Sequence, residues 1–167
     1  MANKFTQLKQ IGIMVSDRET LIENMRAIFG VEPDLENDTL VSDGRMFRGK
    51  FSPFQAHNVL YRFATVELEF MIPNEAESAW REWLDEHGPS MHHIMFDVDN
   101  YAEATAQMEA GGAPIYHEGD SLSRIPGMKY CYFDTFDKIA MYVECVNRSE
   151  FMNAEMTEEQ KKAIGRK

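Results

Sequence analysis

Four side chains with metal-binding donor atoms occupy matched places in this sequence of 167 residues. Gln10 opens the run QIGIMVSD and His93 opens HIMFDVDN, while Glu69 lies in VELEFMIP and Glu144 in MYVECVN. Laying the first run on the second pairs Gln10 with His93, Val15 with Val98 and Met25 with Met108, and a glycine follows each block at Gly30 and Gly111. The offset is 83 residues at Gln10 and 75 at Glu69, so the second block needs only a loop shorter by eight. Such self-similarity is the mark of a duplicated unit. The four side chains offer an imidazole nitrogen, an amide oxygen and two carboxylates, a donor set suited to Zn, Mn, Fe, Co or Ni.

Strand side chains alternate between faces. Glu144 stands between Val143 and Cys145, and Glu69 between Leu68 and Phe70. A carboxylate in such an apolar strand needs a cation, a partner or water, because burying an isolated charge is costly. Glu67 shares the face of Glu69 and is its rival. A second chemical feature is basic: Arg45, Arg48 and Lys50 fall together in GRMFRGKF and form a candidate site for the phosphates of a substrate tail.

The elements that must position these residues are readable from periodicity. Residues 6–15 form a strand. Asp17 caps a helix carrying Leu21, Met25, Ile28 and Phe29, which Gly30 stops. The stretch 31–57 is mixed and rich in turn formers. VLYRFATVELEFMIP reads as one or two strands ended by Pro73. Ala79, Trp80, Trp83 and Leu84 make one helical stripe, ended by Gly88. MHHIMFDVD is a strand, Asn100 caps a second helix, and YCYFD and IAMYVECV are further strands parted by Asp134–Lys138. The organisation expected is a first module over 1–75, a helical linker over 76–89, a second module over 90–147 and a polar tail over 148–167.

Composition restricts the partners. Apolar residues make up 44% and charged residues 27%, enough for a core and ordinary for a globular chain. Acidic residues outnumber basic ones 28 to 17, for a net charge of −11. That field repels a phosphate backbone and an anionic membrane surface, so neither nucleic acid nor membrane is an expected partner. No run suits a membrane span, and MANKFTQLKQ lacks the apolar stretch of a secretory signal, so cytoplasmic residence is expected. The two cysteines, Cys131 and Cys145, are too few for a disulfide scaffold or a cysteine zinc site.

At these residues the chain resembles the vicinal oxygen chelate superfamily, which contains glyoxalases and epimerases. QIGIMVSD is similar to that superfamily's opening HIGIxVxD. WREWLDEHGPSMHHIMFDVDN resembles the methylmalonyl-CoA epimerase pattern, a helix, a glycine and xHHIAFxVDD, and IAMYVECVN resembles its closing strand. The resemblance covers about residues 6–146. It implies an α+β fold in which two βαβββ modules form an open half-barrel cleft, and a homodimer. It also implies one divalent metal ion held by Gln10, Glu69, His93 and Glu144, with His92 pointing the other way. The implied chemistry is proton transfer next to a chelated carbonyl, the ion stabilising an enolate or enediolate while Glu69 and Glu144 move the proton. The substrate would be a small molecule, with a CoA thioester ahead of a glutathione adduct because Arg45, Arg48 and Lys50 suit CoA phosphates. Two departures mark the sequence. Epimerases usually carry His where Gln10 stands, and VLYRFA, with Leu60 and Tyr61, lacks their second glutamate base. The Gln–Glu–His–Glu set resembles glyoxalase I. The resemblance also admits an iron(II) dioxygenase or a non-catalytic small-molecule-binding protein of the bleomycin-resistance kind.

Overall fold

The computed structural model describes residues 5, 7–39, 42–122 and 125–147. The tail expected over 148–167 lies outside them. The chain runs β1 (Gln7–Met14), α1 (Arg18–Phe29), β2 (Leu35–Asp38), β3 (Met46–Phe47), β4 (Lys50–Phe51), β5 (Ala56–Arg62), β6 (Glu67–Pro73) and α2 (Ala79–His87). It continues through β7 (Ser90–Asp97), α3 (Tyr101–Ala110), β8 (Ile115–Leu122), β9 (Ile125–Phe133), α4 (Phe136–Ile139) and β10 (Tyr142–Val146).

The helices begin where short polar side chains satisfy the unpaired amides of a first turn. Asp17 accepts from the Thr20 N–H, Ser78 from that of Arg81 and Asn100 from that of Glu103. α1 ends at Gly30, whose φ of 69° is left-handed and favours glycine. Four strands lie where periodicity showed none, the two-residue β3 and β4 among them. LEND of β2 and IYHEGDSL of β8 are polar and turn-like, and pairing with β5 and β9 makes them strands.

One sheet holds ten strands in the order β2-β5-β6-β1-β7-β10-β9-β8-β3-β4. Apart from the β3–β4 hairpin, the order is symmetric about the antiparallel β1–β7 pair. β6 lies parallel to β1, with Gln10 beside Glu67 and Gly12 beside Glu69. β10 lies parallel to β7, with His93 beside Tyr142 and Met95 beside Glu144. The offsets of 83 and 75 carry the first pair of registers onto the second. The sheet curls into an open half-barrel, and the fold is α+β.

Alternation divides the side chains between two faces. On the convex face Ile22 and Met25 of α1 pack on Val59, Tyr61 and Phe70, and Ala104 of α3 lies with Cys131, Phe133, Val143 and Cys145. Cys131 and Cys145 are not joined by a disulfide and fill this core, their Sγ atoms 3.6 Å apart. On the concave face α2 presses Trp80, Trp83 and Leu84 against Met14, Met71, Met95, Tyr130 and Tyr132. The segment between the halves therefore fills part of the hollow and narrows what remains. No helix among the described residues is long and apolar enough to cross a membrane.

His92 and His117 are wholly buried in this interior, and burial pushes both imidazoles well below the usual 6.5, with the nearby His93 adding to it. His117 Nδ1 accepts the Ala79 N–H at 3.3 Å, which a protonated ring cannot do. The unfolded chain then binds more protons below pH 6.5 than the folded one. Stability from these groups is complete above that pH and is lost as pH falls toward the depressed folded values, by up to about 1.4 kcal/mol per pH unit for each histidine. Urea midpoints of the metal-free protein should therefore fall from roughly pH 7.5 to roughly pH 5.5, less steeply in His117→Asn. Midpoints that stay flat would contradict the buried neutral state.

Candidate metal centre

Gln10, Glu69 and Glu144 line one cleft on the concave face, together with Thr39, Asn58, Leu60, Glu67, Trp80, Tyr130 and Tyr132. His93 does not line that cleft: it is wholly buried behind Glu144, with its Nε2 3.1 Å from Glu144 Oε2. Neither atom has a hydrogen-bond partner of acceptable geometry. A buried polar atom left unpaired costs about 1–3 kcal/mol, so the two atoms as they stand are an incomplete arrangement. A cation bound by both atoms would complete it, and their 3.1 Å separation lets one ion reach both. Lone-pair nitrogen and carboxylate oxygen are also the right donors. Among the described residues no three His, Cys, Asp or Glu side chains form a group that could hold a metal. A third protein ligand therefore requires the Gln10 amide or a turn of Glu69.

The place of His93 is shaped by a glycine and a bulge. A Cβ at Gly12 would stand 1.8 Å from His93 Cε1, so only glycine lets the ring lie over β1. The β1–β7 register pairs Gly12 with His93 and Ile13 with Met91, skipping His92. Such an extra residue turns side chains away from strict alternation. His92 therefore does not point the other way, as alternation required. It is buried with its Nδ1 2.9 Å from His93 Nδ1.

On the other side of the cleft, Gln10 Nε2 donates to Glu67 Oε1 at 2.8 Å, and Arg62 Nε donates to Glu67 Oε2 at 2.9 Å. A carboxylate only accepts, so the Gln10 amide nitrogen must face Glu67 and its carbonyl oxygen is turned away from it. Glu67 is occupied on both oxygens by Gln10 and Arg62. Tyr132 stands beside Glu144 in the β9–β10 register, and burial, with the charges of Glu144 and Glu69, holds its phenol protonated. Sequence reasoning missed Tyr132. Its place in YCYFD, on the face opposite Cys131, was the available signal.

Arg45 does not share a surface with Arg48 and Lys50. Arg45 is 1% exposed, donates to the Phe54 carbonyl and stacks over the Phe54 ring. Arg48 pairs with Glu82 at 2.7 Å, and Lys50 is exposed on the hairpin. Arg48 and Lys50 line a groove with Arg81, where Glu75, Glu77, Glu82 and Asp85 outnumber the cations.

Comparison with known proteins gives a family and a fold. Residues 9–132 match the model of the glyoxalase/bleomycin resistance protein/dioxygenase superfamily. No curated protein matches the chain. Among solved structures it is similar to a methylmalonyl-CoA epimerase in complex with methylmalonyl-CoA and NH4+, with 21% identity, a TM-score of 0.59, and coverage of 85% of this chain and 94% of that one. The methylmalonyl-CoA epimerase of Mycobacterium tuberculosis gives 17% identity and a TM-score of 0.58 over 87% and 91%. A hypothetical protein from Bacillus halodurans gives 16% identity and a TM-score of 0.62 over 84% and 92%.

Proposed function

Since the chain belongs to the glyoxalase/bleomycin resistance protein/dioxygenase superfamily, we propose that it is a metal-dependent isomerase that moves a proton next to a carbonyl, in the manner of a methylmalonyl-CoA epimerase. The observation that carries this reading is the buried, unsatisfied pair of His93 Nε2 and Glu144 Oε2, whose glutamate lines the concave cleft. His93, Glu144, Glu69 and the Gln10 oxygen would hold one divalent ion of the Zn, Co, Ni, Mn or Fe kind. When bound, that ion would supply Lewis acidity for the charge developing on a substrate carbonyl.

Glu69 and Glu144 come from β6 and β10, on either side of the central β1–β7 pair. They therefore approach a substrate from opposite sides, and one can remove the proton that the other returns. Tyr132, held as a neutral phenol, offers a hydrogen-bond donor beside Glu144. Trp80, Met71 and Met95 wall the cleft with apolar surface and limit water around the reacting carbon. The substrate in this reading is a CoA thioester. The fold shared with an epimerase that binds one supports it, and the mixed-charge groove at Arg48 and Lys50 adds nothing. The acting form is a cytoplasmic homodimer whose protomer is built from modules over 1–75 and 90–147.

A second reading, a glyoxalase I-like isomerisation of a glutathione hemithioacetal, is favoured by Gln10 in the ligand set and by Leu60 beside Glu69, where no second carboxylate stands. Metal-stripped protein titrated with Co2+, Zn2+, Ni2+ and Mn2+, then incubated with methylmalonyl-CoA in D2O, separates the readings. Uptake of one ion per chain with metal-dependent loss of the α-proton signal is expected. Turnover of the hemithioacetal without that exchange would select the second reading, and a chain that takes up no ion and catalyses neither reaction would overturn both.

The role of Glu67 gives a further expectation. Glu67→Gln lets the Gln10 amide turn, and Co2+ affinity should fall roughly 10–100-fold while exchange at saturating metal is retained. Isothermal titration beside Glu69→Gln checks this. If Glu67→Gln lost exchange at saturating metal and Glu69→Gln kept it, the two roles would be reversed.

A further inference from the structure

β7 carries two consecutive buried histidines, and the proposed chemistry uses only His93. The bulge at His92 turns both rings to one side, with their Nδ1 atoms 2.9 Å apart. A neutral imidazole has one N–H and one lone pair, so of these two facing atoms one donates and the other accepts. The far nitrogen of His93 decides which. Its Nε2 meets Glu144 Oε2 at 3.1 Å without hydrogen-bond geometry, whereas the Nδ1 contact has it. A proton placed on His93 Nδ1 and donated to His92 makes the one hydrogen bond the ring's geometry permits there, and leaves the lone pair on Nε2.

We infer that His92 is a positioning residue: by accepting the His93 Nδ1–H it selects the tautomer, and fixes the ring angle, that keeps His93 Nε2 available as a ligand. This rests on the metal-site reading above. Ligating histidines are commonly oriented through their second nitrogen by a carboxylate or carbonyl. Here a neutral imidazole does that work and adds no charge to a site that already faces two carboxylates. The His92 ring is itself held in place, with centroids 4.9 Å from Tyr142, 5.4 Å from Trp83 and 5.5 Å from Tyr132. Its own Nε2 has no hydrogen-bond partner. An apolar side chain among those rings would avoid that unsatisfied group, so folding alone does not account for histidine here.

The test uses His92→Asn, which offers an acceptor oxygen near the former Nδ1, and His92→Phe, which keeps a ring and removes the acceptor. Co2+ affinity, followed by the visible spectrum of the bound ion, should fall about 10–100-fold in His92→Phe and return to within a few-fold of wild type in His92→Asn. In the metal-free wild type, nitrogen-15 NMR should find His93 as the Nδ1–H tautomer, shifted toward Nε2–H in His92→Phe. Wild-type Co2+ affinity in a folded His92→Phe would overturn the inference while leaving the metal site standing. An Nε2–H tautomer of His93 in the wild type would overturn it whether or not the protein binds metal. Failure of the wild type to bind any ion, with the tautomer as expected, would instead remove the metal reading.

Discussion

Glu144→Gln should lose α-proton exchange by about 10²–10⁴-fold, the range that a positioned acid or base contributes, and should do so without unfolding. The glutamate is 3% exposed and its replacement has the same shape, so packing among Met95, Tyr132 and Val146 is preserved. The substitution also leaves Glu144's neighbours in the metal-free protein, His93 and Tyr132, in place. Breaking an ordinary structural ion pair destabilises strongly because it strands the partner's charge. In the Nδ1–H tautomer inferred above, His93 carries no charge for the substitution to strand. Thermal unfolding of the metal-free variant should therefore match or exceed wild type, while Co2+ binding and exchange fall together. Exchange within twofold of wild type would show that Glu144 neither holds the ion nor moves the proton. A large loss of metal-free stability would mark the pair as structural.

Gly12→Ala should have the other large effect. The added Cβ would lie 1.8 Å from His93 Cε1, 2.2 Å from Nε2 and 2.3 Å from Nδ1, inside the ring's own volume. The ring has little room to retreat, because His92 and Tyr132 stand against it with centroids 5.1 and 4.9 Å away. Overpacking a core costs about 1–3 kcal/mol, and a fully enclosed ring places this case at the upper end. Displacing His93 by about 1 Å should also cost on the order of 100-fold in turnover. Urea unfolding and Co2+ titration measure the two consequences separately. Combining Gly12→Ala with His93→Ala should recover part of the lost stability, since contacting residues are non-additive. If Gly12→Ala unfolds at the wild-type midpoint and binds Co2+ normally, the His93 ring does not lie over β1.

The fold was legible because its signals are local. Asp17 and Asn100 cap the helices they precede, and Trp80, Trp83 and Leu84 bury the face that helical spacing assigned to them. The repeat was legible because both halves keep one register between their parallel strands. β2 and β8 were not legible. Their residues favour turns, and only pairing with distant strands outweighs that preference. The basic cluster misled for a related reason: nearness in sequence does not set burial. Arg45 turns inward onto Phe54 while Lys50, five positions on, faces solvent.

What the amino-acid order determined by itself is the inventory of donors and the strands that carry them, because apolar alternation around Glu69 and Glu144 is written within a few residues. What only the tertiary structure decided is how those donors face one another. Gln10 is oriented by Glu67, 57 positions away, and His93 is admitted by Gly12 across the β1–β7 seam. The His92 ring turned inward because one extra residue in β7 breaks the alternation. A one-residue change of strand register sends a side chain to the opposite face, and register between distant strands is settled by packing of the whole sheet.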